Sequence, residues 1–584
     1  MKNFIFTNIF KDRKSRNDIK LGLWAEKELV NINNINKHHY RWDNPIVFKN
    51  DVSKIKKHYS KYLSELSHSL NIYHGENYPI KYWEIIIGPW LHIFLSVIYE
   101  RYHTLQDFLK INKDIKSSSF LAFENVNQRP KNTDQFLILA QTDLWNQFIY
   151  QKIAENSFNF KNLEINYIND SQSNFIDKKI FFIYSNRKPK LFGELFTKII
   201  FNISIKYRKI NYFFFVSGFS KRLNIFLFAK LKNMVSTSLF DFDISKNNQN
   251  RNFKFINKKR NQTEFENICR SMINDLIPES FVESYLAISK KLNKTYKFKP
   301  KVIFTTFGYK IYDCFKIWTA KKIHHNNSKL IVYQHGNFGT YENCLDEDHQ
   351  ISIANMYLSW GWKYSNKKQM KPFYAPFYYK KNETHTKVNK IFMVTAIKSK
   401  YTNSLYTGHQ SSGWAKYIVF LDLFLKSTST NIKSNLVIKG YHHDYGWDYT
   451  QILKKKHSKI SIYDGNKTFG DLANIYKLNI ITYNGTALLQ SLSSGTPTLI
   501  LWDSTVWRNS SISKRYFKLL SDSHILFDDV VKASNHITKI YDDINSWWNN
   551  KELQNNLNMF IKYFSRNTNQ FDKELIKELK KIND

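Results

Sequence analysis

Residues 299–336 restrict the fold more than any other stretch of this sequence. KPKVIFTTFGYK (299–310) and SKLIVYQHG (328–336) are compact apolar runs closed by polar turns. Between them, YDCFKIWTAKKIHH (312–325) has helical spacing. Strand, helix and strand in such quick succession form a βαβ unit, so the sheet is parallel and ligands belong at its carboxyl edge. The second run ends on Gln334, His335 and Gly336, with Gly339 close behind, in a chain that has 17 glycines among 584 residues. His335 therefore stands at a sheet edge. There it can be a satisfied structural histidine, a phosphate contact, or a general acid or base.

The same grammar recurs further on. IFMVTA (391–396) reads as a strand, GWAKYIVFLDLFLKS (413–427) as a helix, and NLVIKGYHHDYGWD (435–448) begins as another strand. LNIITYNGTALLQSLSSGTPTLILWD (478–503) gives strand, tight turn, short helix, Gly–Pro turn and strand. QFLILAQ (135–141) and KKIFFIYS (178–185) are read as buried strands of the earlier unit. Residues 371–390, with Pro372 and Pro376, are read as a linker. Toward the amino terminus, 51–72 is an amphipathic helix, and 83–108 is a more apolar one that follows a Gly88–Pro89 break.

The expected fold class is thus α/β: two Rossmann-like domains facing a cleft, with an α-helical N-terminal elaboration. The expected divisions are a helical region over 1–125 packed on the first domain, domains over 126–375 and 389–545, and a charged helical tail over 546–584. A chain of this length is too long for one core.

Several residues fall where such a fold puts its chemistry. Asn484, Gly485 and Thr486 lie between a strand and a helix, where unpaired backbone N–H groups and the helix dipole favour a phosphate. An N-cap serves equally well there, and Ser493, Ser494 and Gly495 read equally well as a C-cap. Glu342 belongs to an acidic patch with Asp346, Glu347 and Asp348, close enough in sequence to His335 to supply a base. Arg508 is a partner for phosphate or carboxylate. His442, His443, Asp444 and Asp448 match no metal-binding spacing, so no metal is expected.

Lys plus Arg number 87 against 49 Asp plus Glu, a net charge of +38. That balance favours anionic partners, but the lysines are dispersed and no nucleic-acid motif accompanies them, so nucleic acid is not expected. INYFFFVSGFSKRLNIFLFAKLK (210–232) is aromatic, basic and free of acids. It could bury phenylalanines in an anionic membrane surface, or it could be core strand plus helix. Cys269, Cys314 and Cys344 are few and far apart, which fits a reducing compartment. No signal peptide or transmembrane helix is expected, and 85–99 is too interrupted to span a bilayer. The expected location is cytoplasmic, with peripheral contact to the inner membrane.

YQHGNFGTYE…YLSWGWK (333–363), YNGTALLQSLSSGTPTLILWD (483–503) and DDINSWW (542–548) together resemble a family of bacterial transferases from surface-carbohydrate biosynthesis loci. The amino-terminal GLWAEKEL…HHYRWD…LNIYHGENYPIKYWEIIIGPWL resembles the opening of that family. More distantly, a His–Gly turn in one half and a Thr/Ser-rich turn in the other resemble polysialyltransferases and Kdo transferases. The resemblance implies a metal-independent GT-B glycosyltransferase with an acceptor-side first domain and a nucleotide-donor second domain. It implies that a sugar, with a CMP-activated acidic sugar as the leading case, moves to a lipid-linked or oligosaccharide acceptor without a cofactor. His335 and Glu342 are then the catalytic candidates; Gln334, Gly336, Asn484, Gly485, Thr486, Ser493, Ser494 and Arg508 are the binding candidates. A CDP-polyol phosphotransferase of teichoic-acid-like synthesis and a nucleic-acid-binding protein are the alternatives.

Overall fold

The computed structural model describes residues 2–10, 18–112, 118–123, 129–160, 163–168, 209–231, 233–237, 251–255, 262–342, 344–377 and 388–583. The run at 178–185 lies outside the described residues.

Two six-stranded parallel sheets organise the chain. The first contains β5 (Tyr212–Phe215), β6 (Met234–Thr237), β7 (Val302–Thr305), β8 (Lys329–Tyr333), β9 (Met356–Ser359) and β10 (Met370–Pro372), in the spatial order 10-9-8-7-5-6. Its strands are short apolar runs such as VIFT and KLIVY, buried on both faces, as helices covering a parallel sheet require. The second contains β11 (Val388–Val394), β12 (Leu436–Lys439), β13 (Ser461–Ile462), β14 (Tyr476–Ile481), β15 (Thr498–Leu501) and β16 (Leu526–Phe527), in the order 13-12-11-14-15-16. Counted from its own first strand, this is the 3-2-1-4-5-6 order of a doubly wound nucleotide-binding sheet, which reverses direction between β11 and β14.

Helices dominate the amino-terminal region. Pro45–His74 is capped by Asn44, whose side chain accepts from the N–H groups of Ile46 and Val47. It packs against Ile80–Ile111. That second helix is long and apolar enough to cross a membrane, but its apolar core is buried within the fold. It runs straight through Gly88–Pro89, where the sequence suggested a break. Packing on all sides overrides the local penalty of proline. Gly88 is required here, because a Cβ would lie 2.5 Å from the His349 ring.

The same region also carries a four-stranded parallel sheet, β1 (Lys2–Ile5), β2 (Asp18–Lys20), β3 (Ser118–Phe123) and β4 (Glu164–Ile168), in the order 2-1-3-4, which the sequence did not announce. Its strands are short and widely separated along the chain, and the last lies beyond residue 125.

Two further expectations change. QFLILAQ is not a strand but most of the helix Thr133–Leu139, capped by Asn132 accepting from the Gln135 N–H at 2.8 Å. A short apolar run has no period of its own, and the cap residue decides. The expected linker opens with strand β10, so Pro372 closes an edge strand, where its missing N–H costs nothing.

The tail returns to the first sheet. Arg566 exchanges backbone hydrogen bonds with Trp360 and Ala375, and Phe571 packs edge-on to Phe219, Tyr333 and Phe373.

Candidate functional site

The carboxyl edges of the two large sheets meet. From the first comes the turn 334–342 after β8. Gln334 shapes it: its Oε1 accepts from the Trp360 N–H and Trp362 Nε1, both at 2.8 Å, and its Nε2 donates to the Gly336 carbonyl at 2.8 Å. Gln334 is buried and fully engaged, so it holds the turn rather than a ligand. Gly336 and Gly339 both have left-handed φ, 85° and 83°. A Cβ on Gly339 would stand 2.4 Å from the Trp362 ring, while its N–H donates to the buried Glu347 carboxylate at 2.6 Å. Burial pushes the Glu347 carboxyl up to about 7, against the N–H of Gly339 and the hydroxyl of Tyr364.

Gly339→Ala is accordingly expected to destabilise the protein by about 2–4 kcal/mol. Left-handed strain contributes roughly 1–2 kcal/mol and overpacking against the ring roughly 1–3 kcal/mol. Denaturant titration measures it. A cost under 1 kcal/mol would mean that the turn is not held as described.

This turn docks on the second half. Asn337 and Thr340 donate to the Asn484 side-chain oxygen, Tyr341 donates to its carbonyl at 2.5 Å, and the Ser510 hydroxyl donates to the Gly339 carbonyl at 2.6 Å. Asn484 is thus a buried latch between the halves. Gly485 precedes the helix Thr486–Ser493 in extended backbone, and a Cβ there would strike the Tyr483 ring at 2.2 Å. Thr486 opens the helix, half-buried. A Cβ on Gly336 would be 3.7 Å from its hydroxyl oxygen, so the His–Gly turn and the Thr turn face each other.

His335 precedes Gly336 at the carboxyl edge of the first sheet. Its ring is exposed, yet cleft walls surround it, with Phe307 at 5.1 Å between ring centroids. Loss of bulk water, then the charge of Lys310, hold its pKa below the ordinary range, with Asp346 opposing. Lys310 itself pairs with Asp346 at 2.8 Å, and Tyr309 donates to the same carboxylate at 3.3 Å. Burial would raise the Asp346 carboxyl, but Lys310 outweighs it and keeps the group ionised.

Opposite stands Lys398, which sequence reasoning missed. It follows β11, at the point where the second sheet reverses direction, with its ammonium 3.6 Å from the centroid of the Tyr406 ring. Burial first, and Lys310 second, lower its pKa to about 7. With Lys310 held by Asp346, the Lys398 ammonium is the cation that this gap offers an anion. The signal available in advance was a lysine soon after an apolar strand, which is too common to single out.

The other expected residues go elsewhere. Glu342, a candidate base on sequence, pairs with Arg508 at 2.8 Å and Lys49 at 3.1 Å. Those two hydrogen-bonded cations overcome burial and depress its pKa, and with Arg508 it forms a strut between the halves. Ser493 and Ser494 lie at the far end of their helix, about 10 Å from Thr486. Ser493 shares a hydrogen bond with Ser565, and Ser494 donates to the carbonyls of Ser491 and Ala473. They close the helix and anchor the tail.

Residues 2–579 match the family described as LIC12162 family transferase. No curated protein matches. Among solved structures, the chain is similar to MurG of Acinetobacter baumannii, with 8% identity over 67% of this chain and 96% of that one and a TM-score of 0.29. It is similar to WaaG, a glycosyltransferase involved in lipopolysaccharide biosynthesis, with 11% identity over 63% and 99% and a TM-score of 0.28. It is also similar to UGT71G1 of Medicago truncatula, solved with UDP-glucose, with 10% identity over 64% and 98% and a TM-score of 0.32.

Proposed function

Because this chain belongs to the LIC12162 family of transferases, we propose that it is a glycosyltransferase moving a sugar from a nucleotide donor to a surface-glycan acceptor. The observation that carries this reading is the meeting of Lys398 and Thr486, at the reversal point of one sheet, with His335 and Lys310 on the edge of the other. As the bond from sugar to phosphate breaks, negative charge grows on the departing nucleotide. The Lys398 ammonium, the Thr486 hydroxyl and the unpaired N–H groups of its helix meet that charge. His335, neutral at pH 7, takes the proton of the attacking acceptor hydroxyl. The leading donor class in this reading is a CMP-activated acidic sugar.

Thermal shift against CMP-, CDP-, UDP- and GDP-linked donors tests this. A donor at a hundred times its Kd stabilises the folded state by about 2.7 kcal/mol. Thr486→Val is expected to weaken that donor's binding, and unchanged affinity would remove Thr486 from the site. A product carrying added phosphorus would replace sugar transfer by transfer of a polyol phosphate from a CDP carrier.

The same reading includes a place for the enzyme on the cytoplasmic face of the inner membrane. The strand half of 210–232 is buried as β5, but the helix Lys221–Lys230 exposes Ile225 and Phe228 beside Lys221, Arg222 and Lys230. Packed against it, the helix Phe571–Asn583 exposes Lys573, Lys577, Lys580 and Lys581. Such cations gain roughly 1 kcal/mol each near an anionic surface. Sedimentation with phosphatidylglycerol vesicles, but not with phosphatidylcholine vesicles, is expected. Changing Lys221, Arg222 and Lys230 to glutamine should release the protein, and equal binding to both lipids would refute the contact.

A further inference from the structure

Three cavities adjoin along the amino-terminal elaboration, and none belongs to the cleft just described. The outer one, about 540 Å³, lies between the Asp18–Lys20 strand and the end of the Ile80–Ile111 helix. The middle one, about 690 Å³, shares Lys37, His38 and His39 with it. The inner one, about 220 Å³, shares Asp43, Pro45 and Lys416 with the middle one and ends at Thr407, Gly408 and Arg508. The turn 406–408 separates it from the candidate site, since Tyr406 carries Lys398 on its ring while the next two residues line the cavity. The two larger cavities fall within the roughly 300–1,000 Å³ of small-molecule sites.

The chemistry of the walls narrows the occupant. Most of their charges are already paired with one another. Lys20 and His38 hold Glu26 at 2.6 and 2.9 Å, Arg41 holds Asp107 at 2.9 Å, and Lys416 holds Asp43 at 2.6 Å. Paired charges present little net field to a polyanion. They do present fixed donors and acceptors, which is what hydroxyl groups need. Apolar surface is interleaved at each stage: Ile111 in the outer cavity, Ile46 in the middle one, Trp42 and Phe48 in the inner one. At the inner end, Nη2 of Arg508 is buried and meets no described acceptor.

We infer that these cavities are successive subsites for a linear saccharide chain, and that its growing end is fed past the 406–408 turn into the cleft. This inference rests on the proposed glycosyl transfer and specifies its acceptor as an oligosaccharide rather than a single sugar or a bare lipid. A chain that occupies several subsites binds more tightly with each unit added, until the groove is full.

The test is calorimetric titration with neutral linear oligosaccharides (glucan, chitin) from disaccharide to octasaccharide, with hyaluronan and oligosialic acid as polyanionic controls. At least one neutral series is expected to bind, with affinity rising with length, and binding by the polyanions alone would overturn the groove. Lys37→Glu and Ile111→Trp, at exposed positions on the rim where folding is not at stake, should each weaken the octasaccharide by about tenfold. Neither should alter stabilisation by nucleotide donors. Failure of every series to bind, equal affinity for all lengths, or no effect of both variants would overturn the groove. Loss of nucleotide stabilisation in the unmodified protein would instead overturn the transferase site, so the two failures are distinguishable.

Discussion

Lys398→Ala is expected to lower kcat/KM by roughly 100- to 1,000-fold, the usual loss when a preorganised donor to a developing negative charge is removed. Lys398 is half-buried and its pKa is lowered to about 7, by burial and by Lys310. The sign of its pH dependence follows. The free enzyme carries the ammonium below about pH 7 and loses it above, whereas a bound phosphate demands the charged form. Nucleotide affinity is therefore expected to fall as pH rises from 7 toward 9. Lys398→Arg stays charged throughout that range and should flatten the fall while restoring much of the affinity. Isothermal titration at several pH values measures both. An alanine variant with unaltered affinity and rate would dismiss Lys398 from the site.

His335→Ala is expected to reduce kcat by about 10²–10⁴, the span of a lost general base. Its melting temperature should barely move, because the exposed ring contacts Phe307 and surface substitutions cost within about 0.5 kcal/mol. A pH–rate profile sharpens the test. Burial, then Lys310, depress the imidazole pKa, so the acid limb of the unmodified enzyme should lie below the range of an ordinary histidine. The variant should lack that acid limb. A large drop in melting temperature would return His335 to a structural role.

Much of the scaffold was legible in advance. KLIVY and VIFT are continuous apolar runs between polar turns, and such runs bury both faces only in a covered parallel sheet. Gly336 and Gly339 marked a turn that needs left-handed backbone, and Thr486 marked a helix start. The roles of the side chains were less legible. Glu342 and Arg508 look like chemistry in isolation, and in the fold they neutralise each other across the two halves. Gln334 looks like a ligand contact, but Trp360 and Trp362, more than twenty residues downstream, claim its oxygen.

By itself, the sequence determined the strands β7, β8, β11, β12, β14 and β15 with the helices between them, and that His335 and Thr486 sit at strand ends. These are local properties, carried by hydrophobic period, caps and glycine. Only the tertiary structure decided the lateral order of the strands, and with it the place where the second sheet reverses. That reversal brings Lys398 within electrostatic reach of Lys310. Strand order is set by packing between residues far apart in the chain, and no local period records it.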